Sequence, residues 1–133
     1  MSLPRTHLGV DRRLVGEVDH LGEGTARVVL VTLPEMAADD RDLVHGGFVF
    51  GLADYAAMLA VNDPNVVLGS ASLRFTRPVV VGEQLTAEAW VEESEGRKRR
   101  VEVEVLRDGE VVLSGELVCF VLDRHVLDRE GEG

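Results

Sequence analysis

The stretch HGGFVFGLADYAAMLAV, residues 45–61, decides how this chain is read. It is alanine-rich, too long for an ordinary strand, and closed by Asn62-Asp63-Pro64, so Gly46 to Val61 is expected to be a helix. Apolar residues occupy almost all of its circumference. Such a helix must be buried on most sides, and the rest of the chain has to wrap around it.

Downstream, the segments Val66 to Arg77, Gln84 to Glu92, Arg99 to Leu106 and Val111 to Leu122 all read as strands. Val101, Val103 and Val105 interleave with Glu102 and Glu104, which asks for one buried and one wet face and so for an antiparallel sheet. Asp108-Gly109 supplies the tight turn between the last two strands, since both residues tolerate positive φ. Upstream, Arg13 to His20 and Thr25 to Leu33 form a hairpin around Leu21-Gly22-Glu23-Gly24. Pro34 to Met36 can make a short helical turn, and Ala37 to Val44, with Asp39, Asp40, Arg41 and Asp42, reads as an exposed loop. Two strands, one buried helix and four strands give an α+β fold, a curled antiparallel sheet wrapped around one long central helix. One helix cannot cover every edge of such a sheet, so self-association is expected.

With 133 residues and 45% hydrophobic content, the expectation is one domain over residues 1–128 and a frayed tail over 129–133. A net charge of -10 argues against broad affinity for nucleic acid. Its only dense basic run is Arg97 to Arg100, whose plain reading is a solvated hairpin end. No apolar run reaches the roughly 20 residues needed to span a bilayer. MSLPRTHLG lacks the apolar core of a secretory signal, and Cys119 has no second cysteine to pair with, so a cytoplasmic setting is expected. Cys119 lies in an apolar strand and reads as a core thiol. Neither metal-ligand spacing nor a glycine-rich phosphate loop is found, so no metal or cofactor is expected.

Asp54 stands out. It is the only carboxylate or base between Gly46 and Val61, set among Leu52, Ala53, Ala56 and Ala57. Desolvation raises the pKa of an unpartnered carboxyl and costs several kcal/mol, so a sequence that keeps Asp here has a use for it. The competing reading is an aspartate satisfied by backbone amides or by a partner subunit. Where the helix begins, Gly46 and Gly47 follow His45 and allow a ligand to approach unpaired amides at the positive end of the helix dipole. Gly46 and Asp54 are eight residues apart, about 12 Å along one helix. If both act on one carbonyl, they must come from two subunits.

HGGFVFGLADYAAMLA, followed by SLRFTRPVVVGEQLTAEA, resembles the hotdog-fold acyl-CoA thioesterases of the phenylacetate-pathway type. The combination that carries the resemblance is His45-Gly46-Gly47, Asp54 nine residues after the histidine, and Phe75 with Arg77-Pro78 and Gly82-Glu83. It implies a thioester hydrolase in which Asp54 is general base or nucleophile. The amide of Gly46, from the neighbouring subunit, would polarise the thioester carbonyl. His45 would shape the helix entrance, beside Gly47. A homodimer or a tetramer is implied, the tetramer preferred, with an acyl-CoA or related thioester as substrate.

Two positions depart from the family's pattern. Asp39 stands where an asparagine is common, six residues before the histidine, and Leu68 where a serine or threonine positions water. Ser70 or Ser72 could substitute, both on the strand face of Arg74 by alternation, although a surface serine is the commoner role. Coenzyme A phosphates would find cations only at Arg74, Arg77 and the Arg97 to Arg100 turn. Phe48, Phe50, Tyr55 and Met58 are candidates for the acyl pocket or for the core. Similar domains also serve as non-catalytic sensors, among them the malonyl-CoA-binding part of a fatty-acid-synthesis repressor with a like RFTR strand. A binding-only protein is therefore the alternative to the enzyme.

Overall fold

The computed structural model describes residues 2–129. A one-turn helix α1 (Arg12–Val15) leads into strands β1 (Glu17–Gly22) and β2 (Thr25–Val31), followed by a 3-10 turn at Pro34–Met36 and the long helix α2 (Gly46–Val61). Strands β3 (Val66–Phe75), β4 (Gln84–Glu95), β5 (Lys98–Arg107) and β6 (Glu110–Val121) and a short helix α3 (Val126–Arg129) complete it. The six strands form one antiparallel sheet in the order β1-β2-β4-β5-β6-β3, curled around α2.

Helix α2 begins and ends where its sequence sets the limits. Asn62 closes it in a left-handed conformation (φ 52°, ψ 45°), and its amide donates to the Met58 carbonyl. Ala53, Ala56, Ala57 and Ala60 let the sheet come close, while Leu52, Met58 and Leu59 fill the space between, all buried. The sheet answers with Val28, Leu30, Leu85, Val101, Val103, Val105, Leu113 and Leu117. Each such aliphatic side chain removed from water contributes about 1.5–3 kcal/mol.

The first strand begins later than its valines and leucines suggest. Arg13 to Val15 belong to α1, because the Asp11 side chain accepts from the Arg13 amide as an N-cap and Gly16 at φ 108° ends the turn. A Cβ at Gly16 would lie 2.7 Å from Val28 Cγ1, so only glycine lets the chain turn there against β2. The third strand ends at Phe75, not at Arg77. Thr76 and Arg77 leave the ladder, and both amides turn to the Val112 carbonyl ahead of Pro78. At the other end of the chain Arg129 closes α3, and the rest of the expected tail, 130–133, lies outside the described residues. No helix of the described residues is long and apolar enough to cross a membrane.

A β-bulge in β3 sets which of its side chains face α2. In β3 the pairing slips between Leu68 and Ser70, so Leu68 faces Cys119 while Ser70 faces Val118. Cys119 is wholly buried, and paired residues share a face. Leu68 is therefore on the inner face and Ser70 on the outer one, with Gly69 as the extra residue. In β4 the slip falls between Val91 and Glu93, beyond the part of the strand that covers the helix.

Candidate active site

The N-terminus of α2 is open. His45 is its N-cap with extended dihedrals (φ -63°, ψ 130°) and makes no side-chain capping bond, so the first amides of the helix, those of Gly46 and Gly47, project without an intrahelical acceptor. The His45 ring instead lies over Gly47, where a Cβ would come within 2.9 Å of Nε2, and meets Phe48 edge-on at 6.0 Å. Gly46 faces the Phe75 ring, where an added Cβ would make ordinary contact at 3.4 Å. A cleft of about 330 Å³ opens here between Val44, Gly46, Val49, Phe75, Arg77 and Val112.

Asp54 lies two turns further along α2. Its Oδ1 is shielded from solvent and has no hydrogen-bond partner, alone in this among the side-chain polar atoms of the described residues. Burial lifts its carboxyl above the ordinary carboxylate range, and the nearby His7 partly offsets that rise. The same carboxylate acts on Cys119: burial first, then the Asp54 charge, push that thiol up to about 12. Cys119 is thus an inert core thiol. The Asp54 charge thus reaches β6, where the buried Cys119 pairs with Leu68.

Other candidates fall in different places. Asp39 Oδ1 accepts from the Arg41 and Leu43 amides (2.9 and 3.2 Å) and holds the loop before α2 in shape. Arg77 lines the Gly46 cleft and pairs with Glu110 at 3.4 Å. Ser70, Ser72 and Arg74 share one face, as alternation requires, but it is the outer face, which points away from Asp54. Tyr55 and Met58 are buried in the core, whereas Phe48 and Phe50 are only half-buried. His7, not singled out by sequence, is the residue whose charge acts against the burial of Asp54. Among the described residues no group of His, Cys, Asp or Glu is placed to hold a metal ion.

Residues 42–114, which run from the loop before α2 through Asp54 and β3 to β6, match the thioesterase superfamily. The chain belongs to that family. The crystal structure of the uncharacterized protein PH1136 from Pyrococcus horikoshii superposes with a TM-score of 0.94 at 56% identity, over 96% of this chain and 98% of that one. A point mutant of the phenylacetic acid degradation protein PaaI from Thermus thermophilus superposes at 0.75 with 31% identity, over 82% and 95%. This places the chain among the hotdog thioesterases, as its helix motif suggests. Two longer curated relatives contain a similar unit. "Methylthioribose-1-phosphate isomerase" of Aquifex aeolicus is 48% identical over 90% of this chain, which spans 26% of that protein. "Transcription factor FapR" of Oceanobacillus iheyensis is 30% identical over 90% of this chain, which spans 61% of it.

Of the two departures from the usual thioesterase pattern, the carboxylate at Asp39 still works as a loop brace. Leu68 lies on the inner face opposite Cys119 and offers no hydroxyl.

Proposed function

We propose that this chain is an acyl-CoA thioesterase that acts as a dimer, with the Gly46 amide of one subunit polarising the thioester carbonyl and Asp54 of the other serving as base or nucleophile. The observation that carries the reading is the unpartnered, buried Oδ1 of Asp54. A carboxylate oxygen shielded from water without a partner is costly, and burial raises the carboxyl, which makes it a stronger proton acceptor once ionised. Membership of the thioesterase superfamily supplies the reaction class.

The sheet supports the dimer. Strand β3 lies at one end of the strand order and leaves one edge unpaired, with Phe75 55% and Leu68 37% exposed. Two such edges paired about a twofold axis make one continuous sheet and set two α2 helices side by side. Light scattering in dilute buffer is expected to give at least a dimer; a stable monomer would remove the shared site.

For the nucleotide end of the substrate, the candidate is Arg77, which is paired with Glu110 but lines the Gly46 cleft, whereas no residue of the basic turn does. Arg100 is held by Glu93, Glu102 and Glu116 at 3.2–3.3 Å, Arg97 pairs with Asp123 at 3.5 Å, and Arg99 donates to the Gly96 and Lys98 carbonyls. Arg77→Gln is expected to raise KM for coenzyme A esters several-fold, and much less for truncated thioesters that lack the nucleotide. Arg100→Gln should leave both unchanged. Equal effects of Arg77→Gln on the two substrate types would exclude the phosphate contact.

The relative named as a transcription factor favours a second reading, in which the domain binds an acyl-CoA without cleaving it. A hydrolysis screen over short, medium, long and aromatic acyl-CoA substrates, read by free-thiol release and paired with calorimetry, separates the two. Release of thiol supports the enzyme. Tight binding without release replaces it with the sensor.

A further inference from the structure

The wall of the Gly46 cleft that carries Arg77 is held from behind by the β5–β6 hairpin. Asp108 and Gly109, at φ 51° and 78°, make its tight turn, and that turn fixes Arg107 opposite Glu110 as the last pair of the ladder. Paired residues share a face, so the two side chains meet, Arg107 Nη2 donating to Glu110 Oε1 at 3.0 Å. Arg107 Nη1 donates to the Pro78 carbonyl at 2.6 Å and to Glu83 Oε1 at 3.2 Å. The same Glu83 oxygen accepts from the Val80 amide at 2.7 Å. Pro78 lines the cleft beside Arg77, whereas Arg107 and Glu110 stand outside its lining.

Glu110 serves two arginines. Its Oε1 takes Arg107, and its Oε2 lies 3.4 Å from Nε of Arg77. The two cations are held very differently. The Arg107 side chain is 18% exposed and bonded to Pro78, Glu83 and Glu110. That of Arg77 is 55% exposed, and its guanidinium makes no hydrogen bond among the described residues. One exposed ion pair is a weak tether. Even so, an isolated pair would oppose exchange, because an anion that took Arg77 would leave Glu110 as an uncompensated charge beside it. Arg107 removes that obstacle, since it stays on Glu110 whichever way Arg77 turns.

We propose that Arg107 is a positioning residue for the cleft, one that keeps Glu110 neutralised so that Arg77 exchanges from this carboxylate to a phosphate of the substrate. The proposal rests on the reading of Arg77 as the contact for the nucleotide end. Glu110 competes with the phosphate for Arg77, and Arg107 weakens that competition.

The test titrates coenzyme A, and pantetheine, which lacks the nucleotide, into the full-length protein by calorimetry and reads the ratio of their Kd values. Bracing of Pro78 serves both ligands alike and cancels in that ratio. Glu110→Gln removes the competitor and is expected to raise the preference for coenzyme A about twofold to fivefold. Arg107→Gln leaves Glu110 to Arg77 alone and should lower the preference by a similar factor. Once Glu110→Gln is in place, adding Arg107→Gln should not move the ratio further, since no charge remains for Arg107 to offset. An equal loss in both backgrounds would mean that Arg107 attracts the phosphate itself and would overturn the exchange. A preference that Glu110→Gln lowers or leaves alone would also overturn it, and that result stands even if Arg107→Gln folds poorly, because Glu110 is exposed at a hairpin end. Arg77→Gln separates the two readings. If it lowers the preference while either of those results is found, Arg77 remains the contact and the roles of Arg107 and Glu110 fall. If it leaves the preference unchanged, the Arg77 contact falls and the exchange with it.

Discussion

Asp54→Asn is expected to lower turnover of the best thioester substrate about a hundredfold or more while the protein folds and assembles as before. Asparagine keeps the size and hydrogen-bonding capacity but cannot take a proton or attack a carbonyl. The variant should also be the more heat-stable protein at neutral pH. Burial raises the Asp54 carboxyl, so the folded state keeps its proton where the unfolded chain has already released it. Stability is therefore lost as pH rises from the ordinary carboxylate value through the raised native one, and it stays lost above that. Asparagine removes that penalty, and a rise in Tm of a few degrees that vanishes in acid is the expected result. Near wild-type hydrolysis by the variant would make Asp54 structural. Binding of substrate should largely survive, as calorimetry with an inert analogue can check.

Gly46→Pro is the second large effect. Proline at the first helical position fits the geometry, since its missing N–H belongs to a group that makes no bond within the helix. His45 before it already has the extended dihedrals that a following proline requires (φ -63°, ψ 130°). The substitution deletes the amide proposed to polarise the thioester oxygen and sets a ring against Phe75 at the cleft, so turnover should fall at least about 10²- to 10³-fold, the usual cost of one oxyanion donor. Mixing the two variants makes the argument geometric. In random dimers of Gly46→Pro and Asp54→Asn subunits, about half are mixed, and each mixed dimer holds one site with both groups intact. About a quarter of wild-type activity should return on subunit exchange. If Gly46 and Asp54 served the same site from a single subunit, mixing would restore nothing.

The central helix and the β5–β6 hairpin were legible because each carries agreeing signals: alanine content with an Asn-Asp-Pro stop for one, alternating valine and glutamate with Asp108-Gly109 for the other. Asp54 was legible through its apolar company. The faces of β3 were not. Ser70, Ser72 and Arg74 do share a face, but the extra residue at Gly69 separates them from Leu68, and alternation alone cannot show a bulge. Helix α1 was hidden by Leu14 and Val15, which read as strand, although Asp11 and Gly16 mark its two ends. His7 left no trace because the segment 2–10 that carries it has no period. Its course is set by Asn62, a residue read only as a helix stop, whose amide group also ties down Leu3 and Arg5.

The two rims of the sheet are unlike each other. Strand β1 is six residues long, broken by a bulge between Val18 and His20, carries Glu17 and Asp19, and has its last turn tethered by Ser2. Strand β3 has ten residues and pairs regularly from Ser70 to Phe75. A protomer with one blunt rim and one receptive rim can be extended once and no further. Joining two receptive rims would consume both, so ribbon growth would stop at a pair, and the arrangement proposed to build a shared site would also deny the chain a route to fibres.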